Sequence, residues 1–250
     1  MEEIHMALEI ALVFVGILIA LVAVASGITS LWLTAKYFKF NRKENSLGLT
    51  GMEIARKILD DNGLEHIKVK RTGSILFGNS YSHYFKKVRL RGLIRHETSL
   101  TSLGMGAQKA SLAILDKDGD SDMKKRIRLV PLVTFGPFAF IPLVIIGAVL
   151  DLFIFNGNGV CTMVLGILGL LFYVYAVVLS VLTLKTEKKA QNKAYEILKN
   201  EYHVTTDELS SLKELFKLYN IQYVNDIILS SLELIYTVLE IAIAVKKAKD

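Results

Sequence analysis

Long apolar stretches, separated by charged ones, dominate the pattern of this chain. Residues 7–33, 129–155 and 160–184 are almost wholly apolar. At about 1.5 Å of rise per residue, a helix over each stretch is long enough to cross a hydrocarbon layer of about 30 Å. The pattern predicts three spanning helices, which we place at 7–35, 129–155 and 160–184. The uncharged turn at 156–159 predicts that the last two form a tight helical hairpin.

A fourth apolar stretch, 222–245, carries acids at regular spacing. Asp226, Glu233 and Glu240 recur at intervals of seven residues, which places them on one stripe of a helix. A carboxylate that faces lipid at mid-bilayer costs about 2.5 to 3.5 kcal/mol, so the stripe should face protein, water or headgroups. Two alternatives follow: a fourth spanning helix in the bundle, or an amphipathic helix in the interface. The stripe could pack within the protein, bind a partner or line a polar path.

The polar stretch 46–128 shows short elements. Thr50 as N-cap, Glu53 at the third helical position and an Asn-Gly stop predict a helix over 50–64. Residues 67–70 and 87–90 alternate apolar and basic side chains, which predicts two strands joined through 73–82, as a small hairpin or an edge strand. Small and apolar residues predict a further helix over 98–115, capped by Thr98 or Ser99.

Composition places the chain among integral membrane proteins. It has 250 residues, of which 52% are hydrophobic, and a mean hydropathy of +0.41. We therefore predict a mainly α fold: a membrane helical bundle of three or four spans with a small α+β region at 46–128. A helical segment at 185–221 should connect the third span to 222–245.

The distribution of Lys and Arg along the chain predicts its orientation in the membrane. Residues 36–128 carry twenty Lys and Arg against ten Asp and Glu, with basic clusters at both ends. The positive-inside bias predicts that 36–128 and 185–221 are cytoplasmic in a multi-pass protein of the cell membrane. The net charge of +6 is then explained by topology and by contact with anionic lipid, and we expect no nucleic-acid partner.

Several strings resemble the YugP-type neutral zinc metallopeptidases, bacterial membrane enzymes distantly similar to the HtpX-like peptidases. The resemblance runs from about residue 46 to 224, and its first two strings are the most specific. The strings are Gly48-Leu49-Thr50-Gly51, Ala55-Arg56-Lys57-Ile58-Leu59-Asp60-Asp61-Asn62-Gly63-Leu64, Val88-Arg89-Leu90, Leu129-Val130-Pro131, Phe135-Gly136 and Tyr223-Val224.

The resemblance implies a catalytic helix at 98–115 that has lost its chemistry. The family motif is His-Glu-Val-Gly-His, in which the two His ligate zinc and the Glu activates the bound water. Its first, second and fifth positions fall on Gln108, Lys109 and Leu112. A neutral amide, a cation and an aliphatic side chain cannot do this work, so we predict that zinc is absent and that there is no catalytic residue.

Two further family positions bear on the site. The third zinc ligand of the family, a Glu after the third span, matches Glu187, which the neighbouring Lys185, Lys188 and Lys189 favour as a solvated, vestigial charge. The family's Asp-His-Tyr-Asp string is replaced by Asn79-Ser80-Tyr81-Ser82, which keeps only the tyrosine. The five histidines show no ligand spacing, and the acids from Asp116 to Asp122 fit a flexible connector better than a calcium loop.

These observations favour a pseudopeptidase. It would bind a peptide or membrane-protein partner by strand addition and so regulate or scaffold an assembly. One alternative is an active metallopeptidase whose metal site is non-standard or completed by a partner subunit. Another is a structural or transport protein that uses the acidic stripe. The resemblance also favours the spanning alternative for 222–245.

Overall fold

The computed structural model describes residues 2–72, 78–130, 140–154, 157 and 159–247. Its described part is mainly helical with one small sheet, as the sequence predicts. The helices are α1 Glu2–Asn41, α2 Gly51–Asp61, α3 Gly92–His96, α4 Leu100–Lys117, α5 Ser121–Leu129, α6 Phe140–Phe153, α7 Val160–Asn200 and α8 Thr206–Lys247. The strands are β1 Lys68–Arg71, β2 Ser80–Ser82 and β3 Lys87–Leu90.

The chain divides into two compact units, and each is described by itself. The membrane unit comprises 1–27, 128–181 and 223–250, and the sheet unit comprises 28–127 and 182–222. Helices α1, α7 and α8 contribute residues to both units, so they extend beyond the predicted spans at 7–35, 160–184 and 222–245.

Among the described residues, three helices each contain an apolar stretch long enough to cross a bilayer. These helices are Met6–Asn41, Val160–Asn200 and Thr206–Ala244, and α6 is a shorter apolar helix. The predicted span at 129–155 and the turn at 156–159 lie partly outside the described residues. Asp151 near the end of α6 accepts hydrogen bonds from the backbone N–H groups of Cys161 and Thr162 at 2.9 and 2.8 Å. A carboxylate of α6 thus caps the first turn of α7.

In the sheet unit, α2 begins as the sequence predicts. Thr50 Oγ1 accepts from the backbone N–H of Glu53 at 3.2 Å, while Glu53 Oε2 accepts from the backbone N–H of Thr50 at 2.8 Å. This reciprocal capping box satisfies two N–H groups that have no partner within the helix. Ile54, Ile58 and Leu59 then face the core, where none is exposed.

The sheet has the strand order β1-β3-β2. β1 and β3 pair in parallel and β2 pairs antiparallel to β3. Two strands that pair in parallel cannot form a hairpin, so the predicted hairpin between 67–70 and 87–90 is wrong, and the edge-strand alternative is confirmed for β1. The segment between them holds β2, which the sequence pattern did not predict, and 73–77 lie outside the described residues.

Candidate functional site on helix α4

Helix α4 forms the centre of the sheet unit. Its N-cap is Ser99, whose Oγ accepts from the backbone N–H of Ser102 at 3.1 Å. Every residue from Leu100 to Ile114 is buried. Gly106 lets α4 approach α2 closely, because a Cβ at this position would lie 2.8 Å from Ile54 Cγ2. The helix thus holds its middle residues in a place that solvent hardly reaches.

A buried ion pair joins the middle of α4 to α7. Lys109 Nζ lies 2.7 Å from Glu187 Oε2, and the two side chains are only 10% and 11% exposed. The residues are 78 positions apart in the chain. The structure therefore brings together the residues at the expected second motif position and the expected third-ligand position.

Two other side chains complete the surroundings of Glu187. Gln108 Nε2 donates to Glu187 Oε2 at 2.9 Å. Arg126 of α5 lies 3.3 Å from the other oxygen, Oε1, and also donates to Thr186 Oγ1 at 2.7 Å. Both carboxylate oxygens thus accept hydrogen bonds from protein groups. The predicted solvated charge at Glu187 is wrong, because its helix turns this side chain into the sheet unit while Lys185 and Lys188 leave on other faces.

The electrostatics keep Glu187 ionised. Burial by itself raises the pKa of this carboxyl, but Lys109 and Arg126 outweigh it and hold the pKa below its ordinary value. A buried carboxylate with two cations and an amide donor is compensated in charge and in hydrogen bonding. Lys109 supplies one of the two positive charges beside Glu187.

The fifth motif position, Leu112, offers no ligand atom. Its side chain is 1% exposed and packs in a small apolar cluster with Met123 and Ala190. The structure thus gathers Gln108, Lys109, Leu112 and Glu187 in one region of the sheet unit, on α4 and α7.

Comparison with known proteins places this geometry in context. A family model described as "Putative neutral zinc metallopeptidase" matches residues 15–242. The chain belongs to this family. The Bacillus subtilis (strain 168) protein named "Putative membrane protease YugP" is 25% identical over 201 residues, which cover 80% of this chain and 84% of that protein. No solved structure matches.

The residues present at the zinc metallopeptidase position do not fit a zinc ion. Zinc in proteins is held by thiolate, imidazole and carboxylate groups, usually three or more of them. Here one carboxylate is present, and both of its oxygens already accept hydrogen bonds from protein donors. Among the described residues, no group of three or more His, Cys, Asp or Glu side chains could hold a metal ion.

Beyond this site, the tyrosine that the family string retains has a clear role. Tyr81 Oη donates to Asp116 Oδ2 at 2.5 Å, and His83 Nδ1 lies 2.6 Å from the same oxygen. Burial and the Asp116 carboxylate raise the pKa of Tyr81. Together these contacts fix β2 and the following turn against the C-terminal end of α4.

The acids from Asp116 to Asp122 lie at the end of α4, in the short connector that follows it and at the start of α5. Asp120 Oδ1 accepts from the backbone N–H groups of Asp122 and Met123 at 3.0 Å each, so it caps α5. Lys189 Nζ lies 2.6 Å from Asp120 and 2.8 Å from Asp122. The acids therefore fix the start of α5, which in turn positions Arg126 beside Glu187.

The acidic stripe belongs to the membrane unit, away from this site in the chain. Tyr173 Oη donates to Glu233 Oε2 at 3.1 Å, and Ser26 Oγ lies 3.5 Å from Asp226 Oδ1. Glu240 is exposed. Two of the three acids thus have polar partners on neighbouring helices.

Arg126 is the site residue that sequence reasoning missed. In the sequence it is one member of the basic cluster at the membrane-proximal end of the polar segment. One signal was available: Arg126 lies three residues after the apolar Met123, so a helix places the two side chains on one face.

Proposed function

We propose that this chain is a catalytically inactive member of the zinc metallopeptidase family that acts as a binding, scaffolding or regulatory membrane protein. The observation that carries the proposal is the 2.7 Å contact between Lys109 Nζ and Glu187 Oε2 in the interior of the sheet unit. An ammonium group takes the position from which the family's carboxylate would activate water.

The charge balance supports the loss of hydrolysis. A divalent ion entering this site would have to displace Lys109 and Arg126 from Glu187, and it would gain the oxygen of Gln108 as its only other motif ligand. It would also meet the repulsion of two buried cations, which is strong where water is excluded. A water nucleophile would lack a carboxylate to act as its general base, because Lys109 stands at the position expected for the family's Glu.

Binding can persist without this chemistry, and the edge of β1 supports it. Lys68 and Thr72 donate their backbone N–H groups to Lys86 and Leu90 on the β3 side, at 3.0 and 2.9 Å. Because successive peptide groups alternate in direction, those of Val69 and Arg71 turn to the other side, where no strand among the described residues pairs.

A groove of about 520 Å³ lies beside this edge. It is lined by Leu49, Met52, Glu53, Arg56, Lys57, Asp60, Asp61 and Val69. An extended peptide in this groove could add to β1 through main-chain hydrogen bonds, which require no metal.

The test of inactivity compares the purified chain with a variant that carries Gln108→His, Lys109→Glu and Leu112→His. Zinc is measured by mass spectrometry on detergent-solubilised protein, and cleavage of casein is followed with and without a chelator. We expect substoichiometric zinc and no chelator-sensitive cleavage for the natural sequence, and zinc binding for the triple variant. Stoichiometric zinc with chelator-sensitive cleavage in the natural sequence would overturn the proposal.

The test of binding uses Val69→Pro, which removes one edge N–H without touching Glu187. Partners cross-linked to the natural chain in membranes should be lost from this variant, while Lys57→Gln on the groove wall should retain most of them. Equal recovery by Val69→Pro and the natural chain would show that β1 is not the edge that binds.

A further inference from the structure

The outer face of the sheet carries an unusual concentration of positive charge. Lys68 lies directly opposite Lys87, and Lys70 lies directly opposite Arg89. The core side of β3 is marked by Val88, which is buried, so the alternation of side chains places the four basic residues together on the other face. We call Lys68, Lys70, Lys87 and Arg89 the basic face. Ser80 and Ser82 of β2 adjoin it opposite Arg89 and Lys87.

This arrangement opposes folding. Like charges directly opposite each other on neighbouring strands destabilise a sheet. Among the described residues, no carboxylate lies within ion-pairing distance of these four side chains. Two like-charge pairs stand side by side on β1 and β3, and no carboxylate of the described residues neutralises them. This indicates that an anion outside the chain neutralises their charge.

An exposed aromatic side chain adjoins the basic face. Phe85 is 62% exposed, and the side chains of Lys87 and Arg89 lie 5.2 and 5.6 Å from the centre of its ring. The neighbouring Tyr84 is 57% exposed. Aromatic rings beside basic residues are typical of protein surfaces that contact the headgroup region of a bilayer.

The turn that carries these rings is tied to a point close in sequence to a membrane segment. Tyr84 Oη donates to the carbonyl of Ile127 at 3.0 Å. The predicted span at 129–155 begins two residues later in the chain. Chain connectivity therefore keeps this turn within a few residues' reach of the bilayer surface.

We propose that the basic face and Phe85 dock on the anionic surface of the bilayer that holds the chain. The basic residues attract phosphate-bearing headgroups, and Phe85 enters the interfacial layer. An acidic polypeptide would match the charge but would leave the exposed ring of Phe85 unexplained. The inference stands independently of whether the chain has lost its peptidase activity.

The experiment places a fluorophore at position 85 of the full chain. Phe85→Cys in a Cys161→Ser background is labelled with an environment-sensitive dye and reconstituted in phosphatidylcholine, with or without phosphatidylglycerol. Quenching by brominated lipid should be about twofold or more stronger in the anionic bilayer, and high salt should reduce it. The matched label at Glu201→Cys, an exposed position elsewhere in the sheet unit, should show no such difference.

Two charge variants provide the control. Lys68→Gln, Lys70→Gln, Lys87→Gln and Arg89→Gln together should abolish the anionic enhancement and should leave the melting temperature unchanged or higher, since like-charge pairs are removed. Lys193→Gln, Lys199→Gln, Lys213→Gln and Lys217→Gln together change the net charge equally and should retain the enhancement. Equal quenching in both bilayers, or equal loss in both variants, would overturn the proposal. Displacement by a soluble acidic peptide without any lipid quenching would assign the face to a protein partner and overturn it too.

Discussion

At the scale of single residues, the role of Glu187 depends on the residue at position 109. The resemblance places Glu187 at an expected metal-ligand position, and in the structure it is the buried partner of two cations and an amide. The negative charge of Glu187 compensates the buried charges of Lys109 and Arg126. Removing a partner from a buried ion pair is more costly than removing the whole pair, because the remaining charge keeps its desolvation cost.

This asymmetry gives a prediction for Lys109. Lys109→Met should lower the free energy of unfolding by about 3 kcal/mol, since Glu187 would lose its closest cation. Adding Glu187→Met should recover a large part of the loss. Scanning fluorimetry of the detergent-solubilised chain measures both variants.

The exposed pair of Lys43 with Asp207 is the matched control. Lys43→Met should change the free energy of unfolding by no more than about 1 kcal/mol. A Lys109→Met effect as small as that of Lys43→Met would contradict the structural role of the buried pair.

Sequence reasoning at this scale succeeds where the partners are local. The Thr50 capping box was predicted in full because its two members are three residues apart. The pair of Lys109 with Glu187 was not predicted, because the flanking lysines suggested exposure and nothing in the sequence indicates which face of α7 is buried. Lys189, one of those lysines, is itself paired with Asp120 and Asp122.

At the scale of elements, the close approach of α4 to α2 depends on glycine. Gly106→Ala should destabilise the chain by about 2 kcal/mol, because the added methyl group meets Ile54 and the carbonyl of Gly51. The intrinsic helix preference for Ala, about 1 kcal/mol, favours the opposite sign and is outweighed. Chemical denaturation provides the measurement.

Gly92 is the comparison for that variant. A Cβ there would lie 3.5 Å from the Arg71 side chain, an ordinary contact. Gly92→Ala should therefore be neutral or slightly stabilising, and a loss equal to that of Gly106→Ala would point to a general effect of adding methyl groups.

The start of α8 is held by a carboxylate whose effect should depend on pH. Glu208 accepts from Ser46 N–H and Oγ at 2.7 and 2.6 Å and from Thr205 Oγ1 at 2.8 Å. Burial raises the pKa of Glu208, but these hydrogen bonds outweigh it and the pKa is lowered. A lowered folded-state pKa means that the stabilisation is complete above the unfolded value of about 4.3 and is lost as the pH falls through the folded value.

Glu208→Gln should therefore lower the free energy of unfolding by about 1 to 3 kcal/mol at neutral pH. The difference from the natural chain should shrink below about pH 4, where Glu208 itself becomes protonated. Melting temperatures measured across this range test the prediction. If the difference in melting temperature between Glu208→Gln and the natural chain stayed constant down to pH 3, the charge of Glu208 would not be the source of the stabilisation.

The sheet marks the limit of prediction for elements. Both predicted strands are present, since alternation is a local signal. Their parallel pairing requires that the chain first form β2, which pairs antiparallel to β3 on the side away from β1. β2 was not predicted because Ser80-Tyr81-Ser82 is too short and too polar to stand out as a strand.

At the scale of the whole molecule, composition alone predicted the class, a mainly helical membrane protein with a small α+β region. The three candidate spans include the apolar part of α8, which favours the spanning alternative for 222–245. The limits of the units were not predictable, because α1, α7 and α8 continue without a break across them.

The predicted spans at 7–35, 129–155 and 160–184, together with a spanning α8, give a topology prediction. With four crossings and the basic segment 36–128 on the cytoplasmic side, the two ends of the chain lie outside. In a Cys161→Ser background, a cysteine at Lys246 should react with an impermeant thiol reagent added to intact cells, whereas one at Glu65 should react only after lysis. Protection of position 246 in intact cells would indicate that α8 lies in the interface.

The contact between Lys109 and Glu187 also constrains how a metal site could be built at this place. If Lys109→Glu arose alone, two carboxylates would face each other in the interior with Arg126 as the remaining cation. Histidines at 108 and 112 would then have to accompany that change before a metal ion could compensate the two carboxylates. Descendants of this sequence should therefore vary at other positions more readily than they acquire a metal site here.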